Sequence, residues 1–202
     1  SNKTAKIKAN ESLMRAIDCA QNTKGAMIIA GSITTIEDCY KPDMFPGKKI
    51  AQDHYNDIIN QMESGGIKLL LFETMGNIDE IKVVLEILES KSIDIWLSLI
   101  LKNEYKLLDG SPLRDTINLI NKYNVKTLLN NCNQLNSNFN GIDYLRSNWK
   151  GKWGIYPNLG ITEYGNDYFL RLDRNIILSK IRTILQKRPD VIGLCCGSTI
   201  ND

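Results

Sequence analysis

The sequence predicts an α/β chain of the (β/α)8 TIM-type barrel class. Three observations predict it. Strand-like and helix-like segments alternate about six times along the 202 residues. The strand segments are near-continuously apolar, so both of their faces are buried, as in a parallel sheet. Polar and reactive residues fall directly after strand ends, at Ser32, Glu73, Asn131-Cys132, Asn158 and Cys195-Cys196. In a barrel these positions share the C-terminal rim, where that fold carries its chemistry. An open doubly wound sheet shows the same alternation, but no Gly-x-Gly-x-x-Gly follows the first strand. The length predicts a single domain, residues 1–202.

Taken in order, Glu11 to Gln21 reads as an amphipathic helix with Leu13, Ile17 and Cys19-Ala20 on its apolar side, stopped by Lys24-Gly25. The polar start, Ser1 to Thr4, is set aside as a tag scar. Ala26 to Ala30 is a buried strand ending at Gly31-Ser32, and Thr34 to Gly47 a long loop with Cys39, Pro42 and Pro46. Ile50 to Glu63 returns to helical spacing, with Ile50, His54, Ile58, Ile59 and Met62 inward, and Gly65-Gly66 ends it. Ile67 to Phe72 is the next strand. Asn77 caps a helix through Glu89 whose stripe is Ile78, Ile81, Val84, Leu85 and Leu88. Ile93 to Leu101 is a strand. Asp109-Gly110-Ser111-Pro112 turns into a helix reaching Tyr123, with Pro112 in its first turn. Val125 to Leu129 is a strand, Asn133 to Asn140 an asparagine-rich loop, and Ile142 to Ser147 a short helix. Trp153 to Tyr156 is a strand, followed by a polar, aromatic-bearing loop. Asn175 to Gln186 is helical, Pro189 breaks it, and a short buried strand from Val191 runs into the cysteine pair.

The formal net charge of +2 excludes a strongly basic nucleic-acid stripe. No apolar run approaches the roughly 20 residues that span a bilayer, and the N-terminus has no signal-peptide core. The expected setting is the cytoplasm. There are five cysteines and a single histidine, His54. An odd cysteine count without a secretory signal argues against a disulfide framework and for reduced thiols. His54 reads as a packed helix residue.

Adjacent thiols at a strand mouth, Cys195-Cys196, suit a soft metal better than packing alone. Cys132 sits in a similar place after another strand. Three thiolates at one end of a barrel make a zinc site with one tetrahedral position left open. The competing reading is that free cysteines fill the core as small apolar residues. Cys19 is assigned to packing and Cys39 to a loop thiol without an implied partner.

The blocks Ala30-Gly31-Ser32, Cys39-Tyr40-Lys41-Pro42-Asp43, Phe72-Glu73-Thr74, Asp109-Gly110-Ser111-Pro112-Leu113, Asn131-Cys132, Tyr156-Pro157-Asn158-Leu159-Gly160 and Gly193-Leu194-Cys195-Cys196-Gly197 resemble, in order and spacing, the homocysteine S-methyltransferase family. The resemblance implies a zinc-dependent barrel that moves a methyl group onto the sulfur of homocysteine, giving methionine. Donors in the family are S-methylmethionine, S-adenosylmethionine, betaine or methylcobalamin. It implies zinc on Cys132, Cys195 and Cys196, and Glu73 on the substrate amino group. Ser32 and the backbone after it would receive the carboxylate, with Thr74 helping, and Asn131 and Asn158 would orient ligands or substrate. Tyr156 lines the pocket or packs in the core.

The family's opening strand with its Asp-Gly, a second strand-helix unit and a closing helix after the cysteine pair have no counterpart here. The expectation is a missing segment of a longer chain, or a partner chain over the gap. The expected partners are small molecules, homocysteine and a methyl donor. Oligomeric state and donor are not legible. The rival reading is a non-catalytic family member that binds zinc or a small amino acid. A third is another barrel enzyme whose cysteines are only core residues.

Overall fold

The computed structural model of the chain describes residues 2–23, 25–135, 139–162 and 169–199. The helix stop at Lys24, the centre of the asparagine-rich loop (136–138) and the loop at 163–168 lie outside the described residues.

Six strands form one parallel sheet: β1 (Ala30–Ile33), β2 (Leu69–Met75), β3 (Asp94–Leu99), β6 (Thr127–Gln134), β7 (Lys152–Asn158) and β10 (Val191–Ile192). Two antiparallel ribbons lie outside it, β4 (Leu101–Asn103) with β5 (Lys106–Leu107), and β8 (Gly160–Thr162) with β9 (Phe169–Arg171). Each sheet strand pairs with the next one along the chain, in the order β1-β2-β3-β6-β7-β10. That order has no reversal, so the doubly wound alternative is excluded. The expected (β/α)8 barrel is met only in part. Six strands are present, and among the described residues β1 does not pair with β10, so the sheet is open.

The helices are α1 (Asn2–Thr23), α2 (Lys48–Ser64), α3 (Ile78–Leu88), α4 (Leu113–Ile120), α5 (Phe139–Asn148) and α6 (Arg174–Gln186). Helix α1 starts earlier than its apolar spacing indicates. Its first half is exposed, so burial leaves no signal there, and Lys6 reaches Asp57 of α2 at 2.9 Å. Helix α2 buries Ala51, Tyr55, Ile59 and Met62, whereas Ile50 is 56% exposed and His54 is also exposed. Ile59 and Met62 face inward as expected, and Ala51 and Tyr55 take the places expected of Ile50 and His54. Asn77 caps α3 as expected, accepting from the Asp79 and Glu80 amides. Pro112 is the N-cap of α4 rather than a residue of its first turn.

The first strand is displaced too. Ladder pairing with β2 begins at Ala30, and Met27 and Ile28 ahead of it are 67% and 83% exposed. Their apolar character suggested burial, but no described strand covers that edge. The opposite edge behaves alike, with Ile192 exposed where a buried strand was expected.

One glycine sets how closely the last strand approaches. A Cβ on Gly154 of β7 would meet the Val191 carbonyl of β10 and lie 2.6 Å from Leu129 Cδ2. Gly154→Ala is expected to cost about 1–3 kcal/mol through overpacking and to loosen β10 and the cysteine turn beyond it. Urea unfolding under reducing conditions measures the loss.

Candidate metal centre

Cys132 lies near the end of β6, a strand buried over seven of its eight residues. It is itself buried, with a left-handed backbone (φ 53°). Thr74, near the end of β2, is also left-handed (φ 59°). Non-glycine residues rarely take that conformation, and for a β-branched side chain it is an outlier. Both strands shift register against a neighbour at these positions, β6 against β7 and β2 against β3. The distortions thus turn the chain where the reactive side chains sit.

Asn131 holds this arrangement. It is 1% exposed. Its Oδ1 accepts from the Thr74 amide at 3.0 Å and from Ser98 Oγ at 2.7 Å, and its Nδ2 donates to Thr74 Oγ1 at 2.9 Å. One side chain therefore ties β6 to β3 and, beyond it, to β2. Neighbouring Asn130 and Asn133 continue the buried polar lattice. Asn130 donates to the Leu99 carbonyl and to Asn133 Oδ1, and Asn133 donates to the Leu101 carbonyl.

The cysteine pair follows β10 and stays tied to the end of β7. Gly193 N donates to the Ile155 carbonyl, Cys195 N to Pro157 and Leu159 N to Cys196. Ser198 closes the turn onto the Cys195 carbonyl through Oγ at 2.7 Å, with Gly197 left-handed at φ 82°. The three sulfurs of Cys132, Cys195 and Cys196 lie within 4.8 Å of one another. Cys132 and Cys196 are 3.7 Å apart, and Cys195 and Cys196 4.0 Å. The Cys132 and Cys195 sulfurs are in direct contact. As thiolates, the three cysteines put three soft donors at one spot, the ligand number and type of a zinc site with an open position. The donor set therefore fits zinc.

The remaining site residues divide. Ser32 Oγ donates to Glu73 Oε1, so Ser32 holds Glu73 and its proton is not directed to an outside carboxylate. Thr74 turns both its amide and its hydroxyl to Asn131. Asn158 Oδ1 accepts from Gly160 N at 2.8 Å, a turn-forming contact. Cys39 is half-buried. Burial pushes its thiol above the ordinary cysteine range, and Asp38 adds to this.

Two residues carry more than their sequence signal indicated. Ser98 sits inside an apolar strand with nothing to mark it as the hydroxyl that anchors Asn131. Glu80, 3% exposed on α3, accepts from Tyr55 Oη at 2.6 Å and from the Ile36 amide at 3.0 Å, pinning the loop that carries Cys39. The amphipathic period of α3 gives no cue for a buried carboxylate.

A curated homocysteine S-methyltransferase from Escherichia coli (strain K12) is 28% identical over 144 residues, covering 67% of this chain and 46% of the relative. The chain thus spans about half the length of that relative. Two crystal structures of the homocysteine methyltransferase MmuM from Escherichia coli share the fold. The apo form has a TM-score of 0.78 at 20% identity, over 96% of this chain and 71% of that one. The metallated form has a TM-score of 0.70 at 25% identity, over 92% of this chain and 62% of that one. The model of the family described as homocysteine S-methyltransferase matches residues 2–202, and the chain belongs to that family.

Proposed function

We propose that this chain carries the acceptor site of a zinc-dependent methyltransferase that methylates the thiol of homocysteine to give methionine. The observation that carries the reading is the convergence of Cys132, Cys195 and Cys196 within 4.8 Å. Family membership and the metallated form of the Escherichia coli relative support it.

Cys132, Cys195 and Cys196 would hold the metal as thiolates. Bound zinc would deprotonate the acceptor thiol, which is otherwise mostly protonated at neutral pH, and keep it as a thiolate nucleophile. Asn131 fixes the backbone on which Cys132 is carried, and the β7 carbonyl of Pro157 fixes Cys195. Glu73, held by Ser32, complements the substrate ammonium by a charge-assisted hydrogen bond. The acceptor sulfur attacks the methyl carbon in line. The new S–CH3 bond forms as the donor's bond to that methyl breaks, and the bonding pair leaves with the donor fragment. No protein nucleophile or covalent intermediate is needed. The substrates are homocysteine and an activated methyl donor, and the reduced thiols this requires suit a cytoplasmic setting. Among the described residues no helix is long and apolar enough to cross a membrane.

The test is zinc per chain in protein reduced and purified without added metal, followed by incubation with homocysteine and each donor class. About one zinc per chain and formation of methionine with one donor are expected. A reduced chain that takes up no zinc, even on reloading, overturns the reading and returns the cysteines to core packing.

A further inference from the structure

Two of the three cysteines ride on the least anchored strand of the sheet. β10 is two residues long, and its ladder partner among the described residues is β7 alone. Ile192 and Leu194, on either side of Gly193, are exposed. Gly193 and Cys195 still donate to β7 carbonyls, which leaves Cys196 and Gly197 past the end of the pairing. A metal needs tighter control, since its ligand distances hold to within about 0.2 Å. Cys132 has that control, because Asn131 beside it is locked to β2 and β3.

The β8–β9 ribbon meets the cysteine turn at three places. Leu159, at the root of β8, donates its amide to the Cys196 carbonyl, and its own carbonyl accepts from the Leu172 amide just beyond β9. Arg171 Nε donates to the Gly197 carbonyl at 2.9 Å. The Phe169 ring lies against both Gly160 and Gly197, and an added Cβ at either glycine would run into Phe169 Cζ. Gly197 therefore has two reasons to be glycine, its left-handed backbone and the ring that covers it. Arg171 and Phe169 are themselves exposed, and contacts of that kind add little to folding stability. Their effect falls on where the turn sits.

We propose that the β8–β9 ribbon is the clamp of the metal centre, with Arg171 and Phe169 as positioning residues for Cys195 and Cys196. The guanidinium holds the carbonyl one residue past Cys196, and the ring closes over the same glycine. Released from both, the turn spreads over several arrangements, and metal affinity falls with the fraction that still meets Cys132. The planar guanidinium fixes the direction of its hydrogen bond, whereas a lysine ammonium on a flexible stem does not. The proposal rests on the zinc reading above and adds what keeps the ligands in register.

The experiment measures zinc affinity of the reduced chain by competition with a chromophoric chelator, for wild type, Arg171→Ala, Arg171→Lys and Phe169→Ala. Cobalt(II) bound in place of zinc reports the ligand geometry through its visible absorption, and urea unfolding is run on the same reduced chains without metal. Each alanine variant is expected to bind zinc about tenfold more weakly, the lower end of the range for groups behind metal ligands. Its cobalt bands should shift, and its urea midpoint should not. Arg171→Lys is expected to match Arg171→Ala. Unchanged affinity and cobalt absorption in either alanine variant overturns the proposal. A loss of affinity matched by a lowered urea midpoint also overturns it, since the contacts would then serve folding. Full recovery in Arg171→Lys does the same, because charge alone would then suffice. If the wild type takes up no zinc, the methyltransferase reading fails and takes this proposal with it.

Discussion

Replacing Cys195 and Cys196 together by alanine is expected to abolish zinc binding and to lower methyl transfer by more than about 100-fold. That bound follows from the 10–100-fold losses seen when only the groups behind metal ligands are removed; here two ligands are lost outright. Stability under reducing conditions should change little. Cys196 is exposed and Cys195 half-exposed, and substitutions at such positions usually stay within about 0.5 kcal/mol. The double variant therefore separates chemistry from folding. Metal analysis and a thermal melt in reductant, on the same samples, read both. Zinc retained at the wild-type level would remove the pair from the ligand set. Cys132→Ala is less clean, because Cys132 is buried and its loss also opens a small cavity.

Asn131→Leu is expected to be the most destabilising substitution at the site, by about 3–5 kcal/mol. Leucine has similar volume and no polar atoms, so packing is roughly kept while three hydrogen bonds are lost. The Thr74 amide, the Thr74 hydroxyl and the Ser98 hydroxyl would stay buried without this partner, at about 1–3 kcal/mol each and not fully additive. Part of the cost arises because Thr74 sits at φ 59°, a conformation kept only where its surroundings over-determine it. Zinc affinity should fall with stability, since Cys132 is the next residue. Chemical denaturation, with zinc titrated into the same variant, is the measurement. Stability within about 1 kcal/mol of wild type would mean that the left-handed turns are held by something other than Asn131.

The parallel strands, the helices between them and the convergence of three cysteines were legible because each rests on a pattern spread over several residues. Continuous apolar runs identify β2, β3, β6 and β7, and their place in the chain brings Cys132 and the cysteine pair to one end of the sheet. What was not legible depends on single contacts. On helix α2 Ile59 and Met62 were legible as inward, but Ala51 and Tyr55 take the places expected of Ile50 and His54, and the Tyr55 hydroxyl reaches the buried Glu80, a contact no apolar spacing signals. At β1 the apolar run preceded the ladder, because pairing with Leu69 rather than composition fixes where a strand starts. Ser32 and Thr74 read as residues open to substrate, but their polar atoms are engaged with Glu73 and Asn131. The six strand-helix units and the want of the barrel's opening strands were read from alternation and from the family blocks, and the six-stranded sheet agrees with that count.

The neighbour-by-neighbour strand order has a consequence for how the molecule assembles. Every pairing in the sheet joins segments consecutive in sequence, so a chain emerging from the ribosome can add each strand to one already in place. The cysteine cluster is the exception. Cys132 and Cys195 are 63 positions apart, and until β10 lies beside β7 Cys132 offers a single thiol in place of a chelate. Metal capture then follows the docking of β10, and the rate of zinc uptake during refolding would report how quickly that strand docks.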